Sequence, residues 1–321
     1  MVTARSLALS VVVVACVGTG STRREPPAFD RPPAPLDHHL PDGSLACGVC
    51  TGTYEPRAAT ATVRPDALDE VSGVVESRRT PGVFFLHNDS GDGPRFFALD
   101  SEGNQVGEYH LRGASAVDWE DLAVGPCPTG SCVFLGDLGD NRNERDERVI
   151  YRVREPTPTP TPHETVDVPW EALPFRYPDG RHDAETLLVH PVTGDLYVIT
   201  KVYDVASGVY VLRAPHTPGT PRTAERVATL ALPADSGRLV TAGDLHPCAD
   251  RLLVRTYVRL YEYERPPGAP FEAIFTTPPR RVAFLPERQG EAVGWRVDGM
   301  GYVTVSEGDH APIHTFSCTA P

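Results

Sequence analysis

The sequence predicts an all-β protein, a five-bladed β-propeller, and three observations carry that expectation. A short phrase recurs five times, β-rich runs fill the intervals, and proline-rich stretches fall at matching places between the runs. The clearest copy is Asp118-Trp119-Glu120-Asp121-Leu122. Aligned on its Glu, the others read Glu70-Val71-Ser72-Gly73-Val74, Asp183-Ala184-Glu185-Thr186-Leu187, Thr241-Ala242-Gly243-Asp244-Leu245 and Gln289-Gly290-Glu291-Ala292-Val293. Each keeps a polar residue two places before the aligned position and an aliphatic two places after it. A spacing of about 50 to 65 residues suits one four-stranded blade per copy.

The blades follow in order. After the first copy come Val83 to His87, Phe96 to Leu99 and Val106 to Leu111, separated by Gly, Asp, Ser and Asn. The second continues through Cys132 to Leu135, Val149 to Val153 and a weaker run at Ala172 to Tyr177. The third uses Leu196 to Thr200, Val209 to Leu212 and Arg226 to Leu232, and the fourth Leu252 to Tyr257, Leu260 to Glu264 and Val282 to Leu285. Only Tyr302 to Val305 and Ile313 to Phe316 follow the fifth copy, so one strand is missing. A propeller closes its last blade with a strand from the other terminus, and the N-terminal strand Ala59 to Val63 is the natural donor. Six blades are the alternative if the interval from Glu120 to Glu185 holds two, but its Thr-Pro run, Thr157 to Pro162, accounts for the length as an outer loop. Pro215 to Pro221 and Pro266 to Pro270 repeat this feature, because proline cannot join a ladder.

Ahead of the blades, Arg5 and the apolar run Leu7 to Val14 read as a secretory signal, too short to span a membrane. Its end, Val13-Val14-Ala15-Cys16, resembles a bacterial lipobox, which implies lipidation of Cys16; the alternative is an ordinary signal peptide. The expected organisation is a signal peptide over residues 1–15, a lipid-anchored proline-rich tether over 16–56 and the propeller over 57–321. That places the protein on the outer face of the cell membrane, or secreted, with the lipid as its only membrane contact. Six further cysteines in an exported chain argue for disulfides. Cys127 and Cys132, joined by a Pro-Thr-Gly turn, form the clearest pair. Cys47 and Cys50 are expected to pair structurally rather than act as a redox couple, and Cys248 with Cys318 would then close the set, although sequence alone does not fix the connectivity of these four. A net charge of −13 with no basic face excludes nucleic acid as partner.

The first strand of each blade lines a propeller's channel, so the repeat places Ser72, Glu120, Glu185 and Glu291 around one axis. Three buried carboxylates need protons or a cation, and an all-oxygen ring of flexible radius favours Ca2+. The alternative is that each Glu hydrogen-bonds the backbone of the next blade. The order Ser, Glu, Glu, a variable position and Glu, each opening a first strand, resembles the calcium-activated nucleotidases (apyrases). That resemblance implies a five-bladed propeller with calcium in its channel. The family has another Ser where this chain aligns Gly243, so Thr241, Asp244 or water must substitute. Asp118-Trp119-Glu120 and Gln289-Gly290-Glu291 also look like bacterial propeller lipoproteins related to esterase-like phytases.

Loops between second and third strands open on the same face. Among them, Arg142, Arg255, Tyr257 and Lys201, the chain's only lysine, are candidates to hold a small anionic ligand or surface partner. Asp89, Asp137 and Glu307 are candidates for a general base. No Gly-x-Ser-x-Gly elbow, Gly-Lys-Ser/Thr phosphate loop or His-Glu-x-x-His helix is present. Two functions therefore stand: a calcium-binding surface propeller that binds an anion in its mouth, and a calcium-dependent phosphoester or ester hydrolase.

Overall fold

The computed structural model describes residue 1 and residues 48–57, 61–128, 130–158, 164–203 and 206–319. The expected signal peptide, the lipidation site Cys16 and most of the tether lie outside these. The chain forms five sheets, with a single 3-10 turn, Phe271–Thr276, as its only helical element among the described residues. Their inner strands, Val71–Glu76, Trp119–Cys127, Ala184–Val189, Val240–Leu245 and Gly290–Trp295, touch one another in sequence, and the fifth returns to the first. This is a five-bladed β-propeller.

Burial explains the arrangement. Every residue of the inner strands Val71–Glu76, Ala184–Val189 and Gly290–Trp295 is buried, so these strands are covered on both faces. Among the described residues five apolar clusters form, one between each pair of neighbouring blades. Phe85, Phe96 and Trp119 pack the first blade on the second, while Val71, Val74, Val303 and Ile313 pack the first on the fifth. Sheet on sheet buries the apolar faces that no single blade covers alone. Polar latches fix the last blade to the first: Glu76 accepts the Arg296 Nε proton at 2.7 Å and the Val297 amide at 2.8 Å.

Several edges differ from the sequence reading. The fourth blade ends on Arg280–Arg281, because Val282 to Leu285 turn in to pack against the cluster between the fourth and fifth blades. Following the Thr-Pro run, which is only partly described, Thr165–Asp167 adds a parallel strand to the edge of the first blade. At the other end, Thr53–Pro56 and Ala61–Thr62 both pair antiparallel with the C-terminal strand Pro312–Thr319. This pairing sets Tyr54 opposite Cys318 and explains the second disulfide, Cys50 to Cys318, with Cα atoms 5.7 Å apart. Cys127 bonds Cys132 as expected. The pairings of Cys47 with Cys50 and of Cys248 with Cys318 are corrected: Cys50 takes Cys318, and Cys248 is disulfide-bonded elsewhere.

Candidate metal centre at the channel mouth

All five inner strands carry a bulge at their second residue. Pairing with the neighbouring strand skips from Val71 to Gly73, Trp119 to Asp121, Ala184 to Thr186, Val240 to Ala242 and Gly290 to Ala292. A bulge leaves its extra residue outside the ladder and re-aims that side chain. The five residues are Ser72, Glu120, Glu185, Thr241 and Glu291, a lower tier in which all are buried. The fourth position is thus Thr241, two residues before the Gly243 that pattern alone aligned. Gly243 serves packing, since a Cβ there would meet the Leu253 carbonyl at 2.8 Å.

A second tier lies over the first. In three blades the residue after the second strand donates its amide to a carbonyl just ahead of the bulge: Asp89 to Glu70, Lys201 to Asp183 and Glu307 to Gln289, each at 2.8 to 2.9 Å. Leu138 and Gly139 do the same toward Asp118, both at 3.1 Å. Counting from the strand ends gives Asp89, Leu138, Lys201, Tyr257 and Glu307 as the upper tier.

The tiers engage each other unequally. Ser72 donates its hydroxyl to the Glu120 carbonyl at 2.5 Å and Thr241 to the Gly290 carbonyl at 3.2 Å, so both hydroxyls tie neighbouring blades. Lys201 Nζ donates to Glu185 Oε1 and, at 3.0 Å, to the Tyr257 hydroxyl, which donates in turn to Glu291 Oε1 at 3.1 Å. Burial works against the ammonium, but Glu185 and Tyr257 outweigh it and hold Lys201 above its usual range. Glu120 is different. The residue is 3% exposed, and its side chain has no hydrogen-bond or ion-pair partner among the described residues.

What surrounds Glu120 is more acid. Oxygens of Asp89, Asp118 and Glu120 lie within 4.8 Å of one another, and so do those of Asp89, Glu291 and Glu307. Gly139 makes room for this, because a Cβ there would fall on Glu120 Oε1 and Asp118 Oδ2. Burial, followed by the charges of Glu185 and Asp89, pushes Glu120 well above the carboxylate range. Burial and then the Glu291 and Asp118 charges lift Asp89 to about 6, and burial with the Glu291 hydrogen bond lifts Glu307 to about 8. Two oxygens on one calcium ion, at roughly 2.3–2.6 Å each, stand no more than about 5 Å apart. The mouth clusters meet that limit, and their all-oxygen chemistry suits a hard cation. The three ring glutamates do not form such a group among the described residues, since Glu185 is taken by Lys201.

The other candidates fall in different places. Arg255 is fully buried inside the second strand of the fourth blade, paired with Glu287 and donating to the Ala292 carbonyl at 2.7 Å. Asp137 accepts the Val117 and Asp118 amides at 3.3 and 3.2 Å and pairs with Arg145 at 2.6 Å, so it anchors the loop carrying Asp118. Arg142 is exposed, without an ion-pair partner among the described residues. Sequence reasoning missed Asp118 as a ligand candidate, although its place two residues before Glu120 recurs as an acid in Glu70 and Asp183.

No protein-family model matches this chain, and no curated protein matches it. The propeller and its two-tiered mouth are therefore read on their own geometry.

Proposed function

We propose that the protein is a calcium-binding propeller, displayed at the cell surface by a lipid on Cys16, that uses a mouth-bound ion to hold a small anionic ligand. The observation that carries this reading is Glu120, a buried carboxylate with no partner of its own beside Asp89 and Asp118. An isolated buried charge is strongly unfavourable unless it is neutralised, and a divalent cation neutralises several at once. The resemblance to apyrases supports calcium in particular. Asp89, Asp118 and Glu120 would hold the ion, with Glu291 and Glu307 adjoining through Asp89. When bound, the ion supplies positive charge and open coordination positions for an anion's oxygens.

Because Lys201 and Arg255 are committed within the protein, the ligand's charge is met by the ion, with Arg142 as the exposed basic candidate. The hydrolase alternative draws on one observation: Glu307 clusters with Asp89 and Glu291 beside the proposed ion, and is the carboxyl left to serve as a general base when Asp89 holds the ion. The test is a screen of nucleotides, phytate and simple esters, scored for binding and for turnover, with calcium and with chelator. Calcium-dependent binding without turnover is the expected outcome. Sustained turnover replaces the binding reading with the hydrolase, and binding unaffected by chelator removes the ion from ligand recognition.

A further inference from the structure

The upper tier contains one cation, and it is the only lysine among thirty basic residues. Lys201 does not face solvent: its side chain is 8% exposed and its ammonium lies between Glu185 Oε1 and the Tyr257 hydroxyl. Two blades meet at the ammonium directly, and the Tyr257 hydroxyl carries the connection on to Glu291 in a third. The ammonium also sits 5.1 Å from the Tyr257 ring centroid, a cation–π distance. A compact ammonium with rotatable donors satisfies oxygens converging from several directions, as a metal ion does, whereas a planar guanidinium does not.

We propose that the Lys201 ammonium occupies a cation position inside the channel, and that removing its charge opens a second calcium site on Glu185, Tyr257 and Glu291. The lysine thereby sets how many ions the channel takes. With it, Glu185 is neutralised from within and calcium is confined to the Asp89 side of the mouth. Without it, Glu185 joins Glu120 and Glu291 as buried acid, and the repulsion among them is relieved by a further ion. This rests on the calcium reading and extends it into the channel. Glu291 borders both sites, but Glu185 and Tyr257 belong to the channel site alone and Asp89 and Asp118 to the mouth alone, so each can fail alone.

The experiment is calorimetric titration of calcium into metal-stripped wild type and Lys201→Gln, whose amide still donates to Glu185 but carries no charge. Lys201→Gln is expected to bind one more calcium per chain than wild type. An equal number in both proteins overturns the proposal. If the variant is unfolded in chelator, recovery of its circular dichroism spectrum on adding calcium supports the proposal, and failure to recover overturns it. If wild type binds no calcium while the variant binds one, the channel site stands and the mouth reading falls.

Discussion

Arg255→Met is expected to destabilise the protein by about 3–5 kcal/mol, the usual consequence of leaving one member of a buried ion pair behind. Arg255 is fully enclosed and the Glu287 side chain is 1% exposed. Without the guanidinium, Glu287 keeps, among the described residues, only the Thr304 hydroxyl, at 2.6 Å, and His314 at 3.8 Å. The Ala292 and Val305 carbonyls lose their donor as well. Urea unfolding at pH 7 measures the loss. Arg255→Met combined with Glu287→Leu is expected to recover much of it, because replacing both charges removes the stranded acid. A single variant as stable as wild type would show that Arg255 is not the internal strut described here.

Calcium affinity is expected to weaken at least roughly tenfold between pH 8 and pH 5.5, since ligands must shed protons to bind and each unit below a ligand's pKa costs up to a factor of ten. Asp89 and Glu307, lifted to about 6 and about 8, take up protons as pH falls through this interval. The same shifts set the stability of metal-free protein. Both groups have folded pKa values above their unfolded ones, so the folded state binds more protons and its stability falls as pH rises. That contribution is complete below about pH 4 and is lost by the time pH passes 8. In chelator the protein is therefore expected to melt lower at pH 8.5 than at pH 5.5 as far as these carboxyls decide it, and calcium should reverse the trend. Calcium titrations at four pH values measure the affinity. A flat profile would mean that Asp89 and Glu307 are not displaced by the ion.

The repeat phrase was readable because the bulged position must be polar where it meets the channel and its neighbours must be apolar where blades pack. Glu120, Glu185 and Glu291 show this directly. The fourth copy misled because Gly243-Asp244-Leu245 imitates the pattern two residues late, and only backbone pairing shows that Thr241 is the bulge. Asp89 and Glu307 were legible as mouth residues from loop position. Their convergence with Asp118 and Glu120 was not, since it depends on how loops from separate blades fold over the channel. Lys201 and Arg255 were found as candidate cations at the mouth but lacked visible partners. Glu185 lies in an inner strand, and Glu287 in an irregular segment 32 residues beyond Arg255. Pairings across such distances leave no periodic trace.

Thermal unfolding of metal-stripped protein, with calcium and with chelator, tests most directly whether the mouth holds an ion. A ligand present at a hundredfold excess over its Kd stabilises by about 2.7 kcal/mol, which for a domain of this size raises Tm by roughly 5–10 °C. Glu120→Gln should abolish most of that rise. In chelator it should melt no lower than wild type, because it removes a buried charge that has no partner. The same Tm for wild type in calcium and in chelator would contradict the metal centre.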